Sequence, residues 1–447
     1  MEDYNLEEYG EERERRDYRQ SRRKKNELIV YIITAIIGIA IIGGSVFGIS
    51  KLVKYVQQEQ HAKELAKQLE SLAQEAEEPV IIEAPQQTEE VVPPTEEKSD
   101  LDKIVDACIA ELPIGDKIAG LFVVTPEALT GTDTVIRAGD TTKEKLGQYA
   151  VGGLVYFSQN IKDKAQLTEM LTNTKNMSKY PIFLAVDEEG GSVARVADSS
   201  IDVELVDSMG TIGAGGDLTA AREAGVTIGT YLSELGFNVN FAPVADIRQA
   251  DAVGGIGDRS FGTDAQMVAE MAVNAALGMQ SVGISASMKH FPGLGEVTED
   301  THDGQVVSQR TLEELKAREL VPFQAGIDAG VGLIMVSHLS LPEVIGDDTP
   351  ASLSSVIITD LLRKEMGYEG IVITDALNMG AITEHYSAGE AAVNTILAGA
   401  DMILMPQSFE EAYESVLAAV EEGSITEERI DESLRRIYRV KYADKVE

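Results

Sequence analysis

No intramolecular disulfide can form in this chain, because its 447 residues include a single cysteine, Cys108. Basic residues are also scarce: 38 Lys and Arg stand against 75 Asp and Glu, for a formal net charge of -37 and an isoelectric point near 4.4. Such an excess of negative charge repels phosphate backbones and argues against a nucleic-acid partner. It suits a small neutral or modestly charged ligand, or serves solubility alone. No His, Cys and carboxylate cluster has metal-ligand spacing, and neither a phosphate-cradling P-loop nor a dinucleotide fingerprint occurs. The expectation is a protein without metal or cofactor. A lack of paired cysteines in an exported protein fits a bacterial envelope better than eukaryotic secretion.

Long apolar runs are rare, with one exception. Leu28 to Ser50 carries no charge and is bounded by Glu27 and Lys51. At about 1.5 Å per residue it is long enough to span a bilayer with some tilt. Arg22-Arg23-Lys24-Lys25 precedes it, so the positive-inside rule puts the N-terminus in the cytoplasm and the rest outside. Gly43-Gly44-Ser45 makes a poor cleavage site, which favours an uncleaved signal anchor over a removable signal peptide. The expected organisation is a cytoplasmic tail over 1–27, a single-pass anchor over 28–50 and a stalk over 51–100. Leu65, Leu69 and Leu72 give the first part of the stalk helical spacing; Pro79, Pro85, Pro93 and Pro94 make its second part an extended acidic linker. A folded domain then covers 101–447.

Within that domain short apolar runs alternate with amphipathic stretches. The runs are Ile118–Val124, Gly153–Phe157, Ile182–Val186, Val239–Val244, Ile284–Met288, Leu333–Val336, Ile371–Ile373 and Met402–Met405. Between several of them lie helical patterns over Leu218–Leu235, Gln266–Val282, Leu312–Ala329 and Ser354–Met366. This βα alternation predicts a (β/α)8 TIM-like barrel of the α/β class, with a doubly wound open sheet as the alternative. Two more helices, near Phe409–Glu422 and Glu427–Tyr442, follow the last strand, and no second folded domain is expected after them.

In such barrels the chemistry sits at the C-terminal ends of the strands. Those ends read Asp187-Glu188-Glu189-Gly190-Gly191, Asp246, Lys289-His290, Ser337-His338 and Thr374-Asp375. Of the five histidines, His290, His302 and His338 fall at or just beyond a strand end. Ionisable residues at so many strand ends are poorly explained by core packing, because buried charge is unfavourable unless paired. In the loop after the fifth strand, Asp300 lies two residues from His302, a spacing that lets a carboxylate orient an imidazole.

The order of several motifs gives a more specific reading. They are Gly152-Gly153-Leu154-Val155-Tyr156-Phe157, Val186-Asp187-Glu188-Glu189-Gly190-Gly191, Asn240-Phe241-Ala242-Pro243-Val244-Ala245-Asp246, Asp258-Arg259-Ser260-Phe261-Gly262, Lys289-His290-Phe291-Pro292-Gly293 and Ile373-Thr374-Asp375-Ala376-Leu377. Together they make residues 101 to 443 resemble the barrel of family 3 glycoside hydrolases of the bacterial β-N-acetylglucosaminidase (β-N-acetylhexosaminidase) type. The resemblance implies that Asp375 is a nucleophile forming a covalent glycosyl intermediate, with retention of configuration. It implies that His302 is the acid/base, paired with Asp300, and that Asp187, Arg195, Arg259, Lys289 and His290 bind the sugar. His338 and Asp246 could belong to the site or brace it. Many two-domain relatives draw the acid/base from a later domain, so a chain ending soon after the barrel is expected to supply its own.

Three positions depart from the family pattern. Leu294 stands where many relatives have His, Glu296-Val297 where Asp-Thr is common, and Asp303-Gly304-Gln305-Val306 lacks a customary Pro. The expected activity is exo-hydrolysis of terminal β-linked N-acetylglucosamine from peptidoglycan fragments, such as muropeptides, or chitin-like oligosaccharides. Alternatives are phosphorolysis, β-glucosidase or β-xylosidase specificity, a substrate-assisted mechanism using Asp187-Glu188, and an inactive envelope-binding protein. The oligomeric state is left open.

Overall fold

The computed structural model describes residues 98–249, 255–295, 297 and 304–443. The predicted span Leu28–Ser50 and all but the last three residues of the stalk lie outside these residues, as do Asp300 and His302. Among the described residues no helix is long and apolar enough to cross a membrane.

Eight short parallel strands form the centre: β1 (Phe122–Val124), β2 (Gly153–Tyr156), β3 (Phe183–Val186), β4 (Val239–Asn240), β5 (Ser285–Phe291), β6 (Leu333–Val336), β7 (Ile371–Thr374) and β8 (Ile403–Leu404). Each falls within or over an apolar run of the sequence. Most strand residues are buried, as expected of parallel strands covered by helices. Strands pair in chain order from β1 to β7, and β8 pairs with β1 through Phe122 opposite Ile403. The remaining seam also closes. Ile373 bridges Met402, the Met402 N–H donates to the Val372 carbonyl at 3.0 Å, and the Thr374 N–H donates to the Met402 carbonyl at 3.1 Å. This closure excludes the open doubly wound sheet and gives a TIM-like barrel.

Boundaries differ from the sequence reading where polar or cyclic residues intervene. Ile118 belongs to a helix, Ile114–Ala119, ahead of β1. The run Val239–Val244 yields only Val239–Asn240 as strand, because Pro243 lacks a donor for the ladder. The stretch Leu312–Ala329 divides into Leu312–Ala317 and Val321–Asp328, with Pro322 in the first turn of the second helix. Val356–Glu365 is a π-helix, a wider winding than the α-helix its periodicity suggests. Leu218–Leu235 matches the sequence reading, capped by the Asp217 side chain and closed by Gly236 at φ 109°.

Helix Leu218–Leu235 packs on Ala265–Gln280 almost backbone to backbone. A Cβ on Gly225 would lie 2.1 Å from the Ala275 carbonyl oxygen, and one on Gly278 2.4 Å from that of Arg222. These contacts seat the two helices that flank β4, whose following residues carry Asp246 into the site.

The N-terminal end of the barrel holds its own buried charges. Asp401, just before β8, is fully buried. Its carboxylate accepts from the Val372 N–H at 2.9 Å, Ser433 Oγ at 2.8 Å and Arg436 Nη1 at 3.0 Å, and it also pairs with Arg363. Lys117 pairs with Glu427 at 2.8 Å and Asp431 at 2.7 Å. The last helix, Glu427–Lys441, supplies many of these partners and returns to the first, Asp100–Ala110, through Arg439–Asp102 and Arg435–Asp106.

Candidate active site

A cavity of about 590 Å³ opens at the C-terminal end of the strands. Its wall includes Asp187, Arg195, Arg259, Lys289, His290 and Asp375. Every predicted site residue within the described part of the molecule is therefore gathered in one place. Asp300 and His302, the predicted proton-transfer pair, lie outside the described residues.

β5 brings two consecutive side chains to the cavity, whereas regular strand geometry would send them to opposite faces. The register of β5 against β6 shifts between Met288 and Phe291, and this irregularity re-aims Lys289 and His290. Lys289 is 3% exposed, yet its ammonium meets Asp187 Oδ1 at 2.7 Å and Glu189 Oε1 at 2.6 Å. Burial disfavours its charge, but the two carboxylates outweigh that and hold its pKa above the ordinary lysine value. His290 donates from Nδ1 to Asp246 Oδ2 at 2.7 Å, and its backbone N–H reaches the same oxygen at 3.2 Å. A carboxylate can only accept here, so the bond fixes both the tautomer and the ring plane.

Glu189 is the residue the sequence reading left out. It is buried, and Arg259 grips it with two parallel bonds: Nε to Oε2 and Nη2 to Oε1, both 2.8 Å. Burial pushes its carboxyl upward, but Lys289 and Arg259 prevail and bring it down to about 2. Glu189 thus orients two cations that line the cavity. Its place in the Asp187-Glu188-Glu189 run at a strand end was the available signal. Sequence alone did not separate it from Glu188, which faces elsewhere. The Glu188 carboxylate is fully buried and accepts from the Val196 N–H at 2.7 Å, the Ala197 N–H at 2.9 Å and Tyr231 Oη at 2.8 Å. Burial raises its pKa against these donors. Glu188 is absent from the cavity wall, so the Asp187-Glu188 pair does not present two carboxylates to a bound sugar.

Arg195 lies over the Phe157 ring, 5.8 Å from its centroid. Its buried Nε has no hydrogen-bond partner among the described residues.

Asp375 follows β7, and its N–H donates to the Val336 carbonyl at 2.8 Å. Its Oδ1 accepts from the Ala376 N–H at 2.8 Å. Burial works against the charged carboxylate. His290, His338, the Ala376 N–H and Lys289 outweigh it, so the pKa falls below the ordinary 3.8. The group is an ionised acceptor across the neutral range.

The structure gives the two undecided residues bracing roles. His338, fully buried, donates from Nε2 to the Ala376 carbonyl at 2.9 Å, while Nδ1 meets Ser352 Oγ at 2.8 Å. It holds the turn that carries Asp375. Asp246 orients His290 and also accepts from the Leu294 N–H at 2.7 Å. Leu294, the first departure from the family pattern, turns its side chain into the core.

Residues 114–440 match the glycosyl hydrolase family 3 N-terminal domain. The chain belongs to glycosyl hydrolase family 3. It is 30% identical over 358 residues to beta-hexosaminidase A of Pseudoalteromonas piscicida, covering 74% of this chain and 57% of that protein. It is 35% identical over 274 residues to a beta-hexosaminidase of Stenotrophomonas maltophilia, covering 60% of this chain and 80% of that one. Among solved structures, a family 3 beta-N-acetylglucosaminidase from Paenibacillus sp. strain FPU-7 superimposes with a TM-score of 0.70 at 36% identity, covering 75% of this chain and 64% of that chain.

Proposed function

We propose that this protein is a retaining exo-β-N-acetylglucosaminidase. The observation that carries the reading is Asp375: an ionised carboxylate on the wall of a cavity whose other polar residues suit sugar hydroxyls. The similarity to beta-hexosaminidases and to a beta-N-acetylglucosaminidase supports the sugar class. Asp187, Arg195, Arg259, Lys289 and His290 hold the terminal sugar through charge-assisted bonds. Asp375 Oδ attacks the anomeric carbon, and the glycosidic bond breaks as His302 gives its proton to the departing oxygen. Water then loses a proton to His302 and attacks the same carbon, which releases Asp375 and restores both groups. Asp300 fixes the imidazole and favours its charged form during the cycle.

The substrates proposed are peptidoglycan fragments or chitin-like oligosaccharides, met outside the cell by a domain tethered through Leu28–Ser50. The decisive experiment uses a 5-fluoro N-acetylglucosaminyl fluoride, which keeps the C2 acetamido group, with the full chain. A covalent adduct mapped to Asp375 supports the reading, and steady turnover by Asp375→Ala overturns it. Aryl N-acetylglucosaminide cleavage with and without phosphate identifies the acceptor, and aryl glucosides and xylosides test the sugar. For the tether, protease added to intact cells should digest the barrel and spare residues 1–27; protection of the barrel would refute an outward orientation.

A further inference from the structure

Arg195 differs from the other cations of the cavity wall. Lys289 is aimed by Asp187 and Glu189, and Arg259 by Glu189. No carboxylate pairs with Arg195 among the described residues; its guanidinium lies over the Phe157 ring, and its buried Nε is unpartnered there. Its direction must then come from its backbone. Glu188–Gly190 pairs antiparallel with Val193–Ala194, with Glu188 opposite Ala194, and the ladder ends at that pair. The Arg195 N–H still reaches the Asp187 carbonyl, at 3.4 Å. The next two N–H groups, of Val196 and Ala197, have run past the ladder. Val196 is fully buried, so its N–H needs a partner inside the protein. The Glu188 carboxylate takes both groups, one on each oxygen, at 2.7 and 2.9 Å. Tyr231 Oη, from the outer helix Leu218–Leu235, donates to the same carboxylate at 2.8 Å.

We propose that Glu188 is a positioning residue for Arg195. Its carboxylate stands in for the missing strand and fixes the turn from which the guanidinium enters the cavity, with Tyr231 as its outer prop. The carboxylate itself is absent from the cavity wall. Its neighbours on the wall are held by other contacts. Asn240 clasps the Glu188 backbone, accepting from its N–H at 2.9 Å and donating to its carbonyl at 2.7 Å. The main chain between Asp187 and Glu189 is thus kept in place without the Glu188 side chain. Lys289 pins the carboxylates of both neighbours. Loss of the Glu188 carboxylate therefore falls on Arg195 before it reaches Asp187 or Glu189. Gln in its place has the same shape but one oxygen fewer. Whichever end its NH2 occupies, it meets the N–H of Val196 or of Ala197 and leaves a donor unsatisfied. This inference rests on Arg195 holding the sugar, as proposed above.

The test measures binding of free N-acetylglucosamine by titration calorimetry, which needs no turnover. It compares the wild-type full chain with Glu188→Gln, Arg195→Ala and the double variant. Loss of a charge-assisted hydrogen bond in Arg195→Ala should weaken binding roughly tenfold or more. Glu188→Gln should weaken it about three- to tenfold, because an oriented site feels small displacements of its groups strongly. The double variant should bind within about twofold of Arg195→Ala alone, because a residue acting through Arg195 then has nothing left to act on. A general structural defect would instead multiply the two losses. That outcome, or wild-type affinity in Glu188→Gln, overturns the proposal. Tyr231→Phe, which leaves both backbone bonds to Glu188, should lose about two- to threefold, and this loss too should vanish in the Arg195→Ala background. It is the variant read if Glu188→Gln does not fold, and a loss that persists without Arg195 then overturns the proposal. If Arg195→Ala binds the sugar as the wild type does, or the wild type binds none, the assignment of Arg195 as a sugar ligand fails and the positioning role falls with it. A loss in Arg195→Ala without one in Glu188→Gln removes the positioning role alone.

Discussion

The two ends of the barrel both bury charge, but they use it differently. At the base, the Asp401 carboxylate is filled by Val372, Arg363, Ser433 and Arg436, all from the protein. Those charges are spent on joining the last helix to the strands. At the mouth, Lys289, Arg259, Glu189 and Asp187 are paired with each other, but Lys289, Arg259, Asp187 and Asp375 also line a cavity. A ligand can share their hydrogen-bonding capacity without leaving any of them unpaired. Burial alone thus does not mark a functional charge; burial beside an open cavity does.

This contrast can be broken most severely at Asp375. Replacing it with Ala should lower kcat by more than ~10⁴-fold, the scale on which loss of a member of a covalent-catalysis unit is felt, while thermal unfolding changes little. Stopped assays with an aryl N-acetylglucosaminide measure the first, calorimetry the second. Asp401→Ala should do the reverse. Leaving Arg363 and Arg436 without their buried partner should destabilise the fold by ~3–5 kcal/mol. The protein that remains folded should keep kcat/KM within about threefold, since the base does not touch substrate. Urea unfolding followed in parallel with activity would test both halves. A large catalytic loss in folded Asp401→Ala would erase the distinction between the two ends.

Glu189 belongs to both categories and sharpens the comparison. Its carboxyl titrates at about 2 in the fold against an ordinary 4.5. Its stabilising contribution is therefore complete above pH 4.5 and is lost as pH falls toward 2. Glu189→Gln should flatten the acid side of the stability–pH curve in that window and weaken sugar binding together. The smallest expected effect is on the mouth's pH profile. Asp375 stays ionised below pH 3.8, so the acidic fall in kcat/KM is not set by its ordinary titration. The alkaline fall should follow deprotonation of His302, the acid of the proposed mechanism. A profile flat from pH 5 to 9 would remove His302 as the acid.

The strands were legible because parallel strands buried on both faces write themselves as apolar runs. The closure between β7 and β8 was not, since it depends on carbonyls of Val372 and Met402 that no side-chain pattern encodes. The division at Arg318-Glu319-Leu320 was hidden because both halves continue a helical rhythm. The cavity wall could be listed from strand ends, as Asp187, Lys289, His290 and Asp375 show. Glu189 could not be told from Glu188, because which of two adjacent acids turns toward the cavity follows from the local bend and the positions of Tyr231 and Arg259. His338 and Asp246 read equally well as ligands or braces until their partners, the Ala376 carbonyl and the Leu294 N–H, were in view.

Asp246 places one carboxylate between two tasks. Its Oδ2 aims the His290 ring, and its Oδ1 receives the first amide of the segment leading to His302. Because that second bond is to a backbone N–H, it is indifferent to which side chain stands at position 294. The sequence beyond Leu294 is free to diverge while the His290 ring keeps its geometry.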